Sequence, residues 1–271
     1  MKVTREQLDE IATGYHISEN VPDKFIEDAL QVHSLTWIGE QLTKCRTVLE
    51  LGFGEGIVTD YLVRCGKRVT QLEGSSLLVQ KVTALFGERV RCVHGLFEEY
   101  TPTEKFDAVV ASHVLEHVDD PLALLKRMRT WVKPRGRILV IVPNSESIHR
   151  RLAVLMGLQP RLDSLSPRDK LVGHQRVYSL SRLTADVKAA GYEVKHSRGF
   201  FFKPLANGMM LEFRPELIEA MNNIATAMPA ELMANLGLVV GLRPSRRKAA
   251  VKRPKRTSLA RKKPARRTSR R

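Results

Sequence analysis

The stretch Val48-Leu49-Glu50-Leu51-Gly52-Phe53-Gly54-Glu55-Gly56 joins an apolar run to three alternate glycines. The run predicts a buried strand over residues 47–51, and a helical pattern follows over residues 57–64. Glycines between a strand and a helix permit positive φ and let the backbone approach a ligand at the carboxyl edge of a sheet. The dinucleotide fingerprint G-x-G-x-x-G would need glycine at position 57, where isoleucine stands, and no P-loop lysine follows. A tight turn that binds nothing is the alternative.

Outward from this turn, strands alternate with helices, which is typical of a mainly parallel sheet covered on both faces. Further strands are predicted at residues 69–72, 90–94, 106–112, 137–142, 192–202 and 236–242. Helices are predicted at residues 22–44, 77–86, 122–132, 148–156, 181–190 and 216–227. We therefore predict an α/β fold, Rossmann-like and doubly wound, in which five of the seven strands follow βαβ order and two close the sheet.

The predicted domain organisation has three parts. Residues 1–45 form an N-terminal helical cap, residues 46–242 form the domain with a helical lid insert at about 144–179, and residues 243–271 form a tail. The tail carries 15 Lys and Arg and no acid, so most of the net charge of +16 lies there and the rest of the chain holds 30 basic and 29 acidic residues. Its low complexity predicts disorder. Such a tail can attract nucleic acid or an anionic membrane surface, or serve solubility alone.

Composition excludes several classes of protein. No apolar stretch approaches the roughly 20 residues that a membrane span needs, and the start has no apolar segment typical of a secretory signal. The three cysteines form no CxxC pair and no disulfide framework, so we expect a cytoplasmic protein. The sequence does not indicate an oligomeric state.

An acidic residue follows the glycines at the sequence separation that is typical of a ribose-binding carboxylate. Glu73 ends the second predicted strand, 21 residues after Gly52. A carboxylate about 20 residues beyond such glycines can accept both hydroxyls of a ribose. Glu50, the glycines and Glu73 together disfavour a bare turn.

These residues, with the segment Phe106-Asp107-Ala108-Val109-Val110-Ala111-Ser112-His113-Val114-Leu115-Glu116-His117, resemble the class I S-adenosylmethionine-dependent methyltransferases. The resemblance is to the small-molecule branch that includes the ubiquinone-type O-methyltransferases. It covers about residues 44–142 and, more loosely, residues 173–242.

The resemblance implies S-adenosylmethionine as the cofactor. Its methionine part would be lined by Gly52, Gly54 and Gly56, its ammonium would lie near Glu50, and its ribose hydroxyls would be held by Glu73. Members of the family often carry an acid after strand three for the adenine amino group, whereas this chain has none there. Adenine is therefore expected against Leu96 or Phe97 and backbone groups, and Ser112 completes the cofactor-binding set.

Methyl transfer to a hydroxyl needs alignment of the acceptor and removal of its proton. His113, directly after strand four, is the first candidate base, and a cap on the following helix is the alternative. His174, in the insert, is the second candidate and Tyr178 can contact substrate beside it, unless both are surface loop residues. Residues 149–151 (His-Arg-Arg) can face an anionic acceptor or form a solvated helix face.

The histidines also raise the question of a metal. His113 and His117 lie at i, i+4, but a bound metal needs three or more converging ligands. With no HExxH order in the sequence we expect no metal, and we expect His117 to brace a loop; the role of Glu116 stays open.

Three functions remain in view. The first is methylation of a hydroxyl on a small-molecule, lipid-linked or saccharide acceptor. The second is a methyltransferase directed by its basic tail to RNA or protein. The third is a non-catalytic protein that binds a cofactor or nucleic acid. The chain lacks the Asn/Asp-Pro-Pro-Tyr/Phe motif after strand four and a Pro-Cys nucleophile, which favours a small or carrier-borne acceptor over a nucleobase.

Overall fold

A single seven-stranded sheet organises residues 3–243, the part of the chain that the computed structural model describes. The strands lie in the order β3-β2-β1-β4-β5-β7-β6, and β1 to β5 are parallel while β7 runs antiparallel to both of its neighbours. Their bounds are β1 Thr47–Leu51, β2 Arg68–Glu73, β3 Val90–His94, β4 Phe106–Ser112, β5 Val132–Pro143, β6 Tyr192–Phe200 and β7 Asn235–Leu242. The predicted Rossmann-like fold is confirmed.

Nine α-helices are described within residues 3–243. Their bounds are α1 Arg5–Ile11, α2 Lys24–Leu42, α3 Ile57–Arg64, α4 Ser76–Phe86, α5 Pro121–Trp131, α6 Ile148–Leu155, α7 Pro167–Leu171, α8 Leu180–Ala189 and α9 Pro215–Ala225. Across this part of the chain, none of the helices is long and apolar enough to cross a membrane. The predicted tail falls outside the described residues apart from Arg243.

Each central strand is buried on both faces because its alternate residues enter two different cores. In β1, Leu49 and Leu51 pack into the core beneath α5 and α8, whereas Val48 packs into the core beneath α2, α3 and α4. Both faces are apolar, so the strand reads as a continuous hydrophobic run, as expected for a parallel sheet. This arrangement brings the carboxyl ends of β1, β2, β4 and β5 to one edge of the sheet.

Two segments cover that edge. The insert between β5 and α8 contains α6 and the short helix α7, which was not predicted and begins with a capping box at Ser166 and Asp169. At the other side, α1 continues into one π-helical stretch over Ala12–His16. We call residues 3–16 the N-terminal strap.

Candidate active site

One cavity of about 980 Å³ lies at the carboxyl edge of the sheet, between the N-terminal strap and the insert. Its lining includes most of the predicted site residues: Glu50, Gly52, Gly54, Glu73, Leu96, Phe97, Ser112, His113 and His174. Gly56 and Tyr178 do not line it. The fold therefore brings residues from β1, β2, β4 and the insert to a single site.

The glycine turn at the end of β1 adopts the backbone conformation for which glycine is needed. Gly52, Gly54 and Gly56 have φ angles of 72°, 55° and 79°. A Cβ on Gly52 would meet nothing nearer than Val114 Cγ2 at 3.8 Å, so its backbone faces open space. Gly56 instead is the N-cap of α3, and a Cβ there would lie 2.5 Å from the ring of Phe53. Gly56 thus shapes the turn without reaching the cavity.

Glu50 is a buried carboxyl group without a cationic partner among residues 3–243. Its residue is 3 % exposed, and its Oε2 accepts a hydrogen bond of 2.8 Å from Thr59 Oγ1 on α3. Burial raises the pKa of Glu50 to about 8, the charge of Glu73 adds to the rise, and the Thr59 hydrogen bond opposes it. A cation that entered the cavity beside Glu50 would therefore offset a large desolvation cost.

Glu73 is held in one orientation by the backbone around it. Phe53 N donates to its Oε2 and Ser75 N donates to its Oε1, each at 2.7 Å. Burial raises the pKa of Glu73, and these backbone hydrogen bonds partly oppose the rise. Each oxygen keeps a lone pair, because one donor occupies only part of its acceptor capacity.

The N-terminal strap covers the cavity above Glu73. Asp9 accepts hydrogen bonds from Ser75 Oγ at 2.6 Å and Ser76 Oγ at 2.7 Å, which ties the strap to the start of α4. Leu8 lies so close to Gly74 that a Cβ there would be 2.4 Å from Leu8 Cδ1. This contribution was not predicted, although Leu8, Ile11 and Tyr15 form an apolar i, i+3, i+7 stripe and all three line the cavity.

His113 lies at the end of β4 and combines exposure to the cavity with an unusual backbone. Its φ is 55°, a conformation that non-glycine residues adopt rarely and often at functional sites. Its Nδ1 is 3.1 Å from Glu116 Oε1, and its Nε2 is 3.5 Å from Asn235 Nδ2. The helix-cap alternative is wrong, because Asp120 caps α5 through a 2.8 Å hydrogen bond from Ala123 N.

Glu116, which is fully buried, controls the protonation of His113. Burial lowers the pKa of His113, but the hydrogen bond to Glu116 and the charge of that carboxylate outweigh burial and leave the pKa above its ordinary value. A proton on Nδ1, directed at Glu116, leaves the lone pair on Nε2. The arrangement therefore orients a base at the end of β4.

Glu116 also lies beside His117 and His174. One ligand atom from each of these three residues lies within 4.8 Å of the others, so the group can hold a metal ion. Glu116 Oε2 is buried and has no hydrogen-bond partner among residues 3–243. Burial lowers the pKa of His117 to about 4, which keeps it neutral. His113 is not part of this group; the insert instead carries His174 back over the loop after β4. The expectation of no metal stays a prediction.

His174 is fixed rather than free on a surface loop. Its side chain is 13 % exposed, and its Nδ1 is 2.9 Å from Asp169 Oδ1 on α7. Its ring meets that of His117 edge-on, with centroids 4.7 Å apart. The hypothesis that Tyr178 contacts substrate is wrong: Tyr178 is fully buried in the core beneath α5 and α8.

The stretch of residues 149–151 divides between the cavity and the solvent. His149 and Arg150 line the cavity, and Arg150 is 6 % exposed and paired with Asp169 at 2.7 Å. Arg151 is exposed. The solvated-face alternative therefore holds only for Arg151.

Known proteins share both the sequence pattern and the architecture. Residues 22–197, more than half of the chain, match the model of a family described as a methyltransferase domain. The ubiquinone biosynthesis O-methyltransferase of Xanthomonas oryzae pv. oryzae (strain PXO99A) is 30 % identical over 179 residues, which cover 63 % of this chain and 72 % of that protein.

Solved structures of similar fold include methyltransferases named for different acceptor atoms, one a nitrogen and one an oxygen. A 1,6-didemethyltoxoflavin-N1-methyltransferase of Burkholderia thailandensis, solved with its ligand and S-adenosylhomocysteine, has a TM-score of 0.58 and 18 % identity, and the match covers 87 % of this chain and 85 % of that one. The mitomycin 7-O-methyltransferase MmcR has a TM-score of 0.57 and 18 % identity over 89 % of this chain and 61 % of that one. At such identities the likeness concerns the fold.

Proposed function

The chain belongs to the class I methyltransferase family, and from that premise we propose that it methylates a hydroxyl of a small-molecule, lipid-linked or saccharide acceptor. The cofactor is S-adenosylmethionine, which supplies a methyl group activated by its sulfonium. The observation that carries the assignment to a hydroxyl is the His113–Glu116 pair. A hydroxyl acceptor depends on a general base to remove its proton, whereas a neutral amine acceptor depends on a base to a smaller extent.

The residues of the cavity fit the cofactor. The raised pKa of Glu50 reflects the cost of burying its carboxylate, and a neighbouring cation such as the ammonium of the cofactor would offset that cost. Gly52 and Gly54 leave open space where a side chain would intrude. Glu73 would hold the ribose hydroxyls, and Leu96, Phe97 and backbone groups would hold the adenine. Ser112, at the end of β4, lines the same cavity.

His113 would take the proton of the acceptor hydroxyl on Nε2 while Glu116 stabilises the imidazolium that forms. Both side chains are positioned before substrate arrives, by the His113 backbone N–H bond of 2.8 Å to Ile141 O and by burial of Glu116. The strap and the insert would exclude water from the reacting atoms. His174, held by Asp169, is the second candidate for the base.

Cofactor binding and methyl transfer are tested separately. Glu73→Ala should weaken S-adenosylmethionine binding at least several-fold in calorimetry, because it removes the ribose acceptor; unchanged affinity would contradict that role.

Turnover is followed as S-adenosylhomocysteine release across a panel of hydroxylated acceptors. His113→Ala should slow turnover by about 100-fold or more with cofactor affinity intact. His33→Ala is the matched control, since His33 lies on α2 outside the cavity. If His113→Ala turns over normally, His174 becomes the better base.

The alternative acceptors are tested in the same assay. RNA and protein pools are compared with metabolite pools, using the full chain and a chain that ends at Leu242. Methylation of RNA or protein that depends on residues 243–271 would favour the tail-directed alternative over a small acceptor.

A further inference from the structure

The cavity extends beyond His113 to a region between the insert and the segment after β6. Lys203, three residues after the end of β6, lines this region. Its ammonium makes no hydrogen bond or ion pair with any residue in the described range 3–243. Burial lowers the pKa of Lys203, which is the behaviour of a cation that lacks a direct counter-ion.

The other two cations in this region are already neutralised. Arg150 is paired with Asp169 at 2.7 Å, and Arg168 is paired with Asp23 and lies 3.6 Å from Glu27. Asp23 and Glu27 also accept hydrogen bonds from the amide of Asn207. Asp23, Glu27 and Asp169 therefore make their direct contacts with other groups, and the charges of Glu27 and Asp169 act on Lys203 only at longer range.

A neutral hydrogen-bonding group lies close to Lys203. His149 Nδ1 is buried and has no hydrogen-bond partner in the part of the chain that the structure describes. Burial, with the charges of Lys203 and Arg150, holds the pKa of His149 well below its ordinary value, so its ring is neutral. Leu152, Met156 and Leu205 line the same region and can pack against an apolar ligand body.

We propose that this end of the cavity is a subsite for a carboxylate carried by the acceptor, with Lys203 as its counter-ion and His149 as a hydrogen-bond donor. An ammonium that has no direct ion pair matches a single negative charge better than the two of a phosphate monoester. The subsite rests on the proposed function, because the acceptor must reach Lys203 with its carboxylate while its hydroxyl faces His113.

The test uses nearly isosteric acceptors in which a neutral amide replaces the carboxylate. 3-Hydroxybenzoate is compared with 3-hydroxybenzamide, and 3-hydroxycinnamate with its amide, to allow for two spacings between hydroxyl and carboxylate. Their affinities are measured by calorimetry with and without S-adenosylhomocysteine. At least one carboxylate should bind about tenfold more tightly than its amide.

Substitutions assign the preference to one side chain. Lys203→Met should abolish the preference and Lys203→Arg should keep most of it. Lys170→Met is the control, since Lys170 is an exposed cation on α7 that does not line the cavity. Thermal melting and S-adenosylhomocysteine affinity confirm that each variant is folded.

Two results would overturn the subsite. The first is equal affinity for carboxylate and amide, including no measurable binding of either; the second is a preference that survives in Lys203→Met. The outcome is separable from the proposed function. Methylation of the amides without a charge preference removes the subsite alone, whereas Lys203-dependent binding of carboxylates that are never methylated removes O-methylation of these hydroxyls alone.

Discussion

Glu50→Gln should stabilise the empty protein and at the same time weaken its hold on the cofactor. The pKa of Glu50 is raised from the 4.5 of an unperturbed carboxyl group to about 8, chiefly by burial. The folded state therefore binds a proton more tightly than the unfolded state, and stability falls as the pH rises from 4.5 towards 8. Since one pKa unit corresponds to about 1.36 kcal/mol, the cost of burying Glu50 reaches about 3 kcal/mol at pH 7.

Glutamine is nearly isosteric and carries no such cost, because its amide oxygen can still accept the hydrogen bond from Thr59. Urea unfolding of the cofactor-free protein at pH 5, 6, 7 and 8 measures the effect. The gap in unfolding free energy between Glu50→Gln and the parent should be small at pH 5 and widen by up to about 1.36 kcal/mol per pH unit.

An exposed glutamate serves as the control for Glu50→Gln. Glu88→Gln, outside the cavity, should leave the dependence on pH unchanged. Calorimetry with S-adenosylmethionine should show weaker binding to Glu50→Gln, because a neutral amide cannot pair with an ammonium. Parallel pH profiles of the parent and Glu50→Gln would refute the argument from burial.

Two further predictions concern the base and the strap. The neutral form of His113 is the active base, so kcat/KM should rise with pH through the raised pKa of His113. Glu116→Gln removes the charge that raises this pKa and should move the rising limb of the kcat/KM profile to lower pH. A rising limb that does not move would count against the His113–Glu116 pair. Asp9→Ala removes the hydrogen bonds of the strap to α4, and a loss of about 1 kcal/mol should weaken cofactor binding about fivefold in calorimetry. Glu10→Ala, at an exposed neighbouring position, should not weaken cofactor binding. Equal cofactor affinities of the two variants would mean that the strap does not contribute to cofactor binding.

The local sequence pattern was sufficient to predict most strands of the sheet. The bounds of β1, α3, β3 and β4 are as predicted, because apolar runs and 3.6-residue periodicity are local properties bounded by glycine or polar residues. β5 begins at Val132, five residues earlier than predicted. Val132 pairs with Phe106 on β4, and the pairing resumes at Arg137 with Ala108 after a register shift that passes over residues 133–136.

The site was predictable where it depends on the sheet. Glu50, Glu73 and His113 lie at strand ends, and parallel strands bring their carboxyl ends to one edge. The approach of His174 to His117 depends instead on how the insert folds back, and no periodicity encodes that path. The bonds of Asp9 likewise join residues more than 60 positions apart in the chain.

The position of β7 has a consequence for how the chain reaches this fold. Residues 235–242 pair with β5 on one side and β6 on the other, so β6 is joined to the sheet only through the last strand described. Some 90 residues separate β5 from β7 along the chain, and closing so long a loop makes this pairing slow relative to the local βαβ steps. Until it forms, the apolar residues of β5 present an unpaired edge open to association with another chain. A chain that ends before residue 235 should therefore aggregate during refolding, and the yield of the intact chain should fall as its concentration rises.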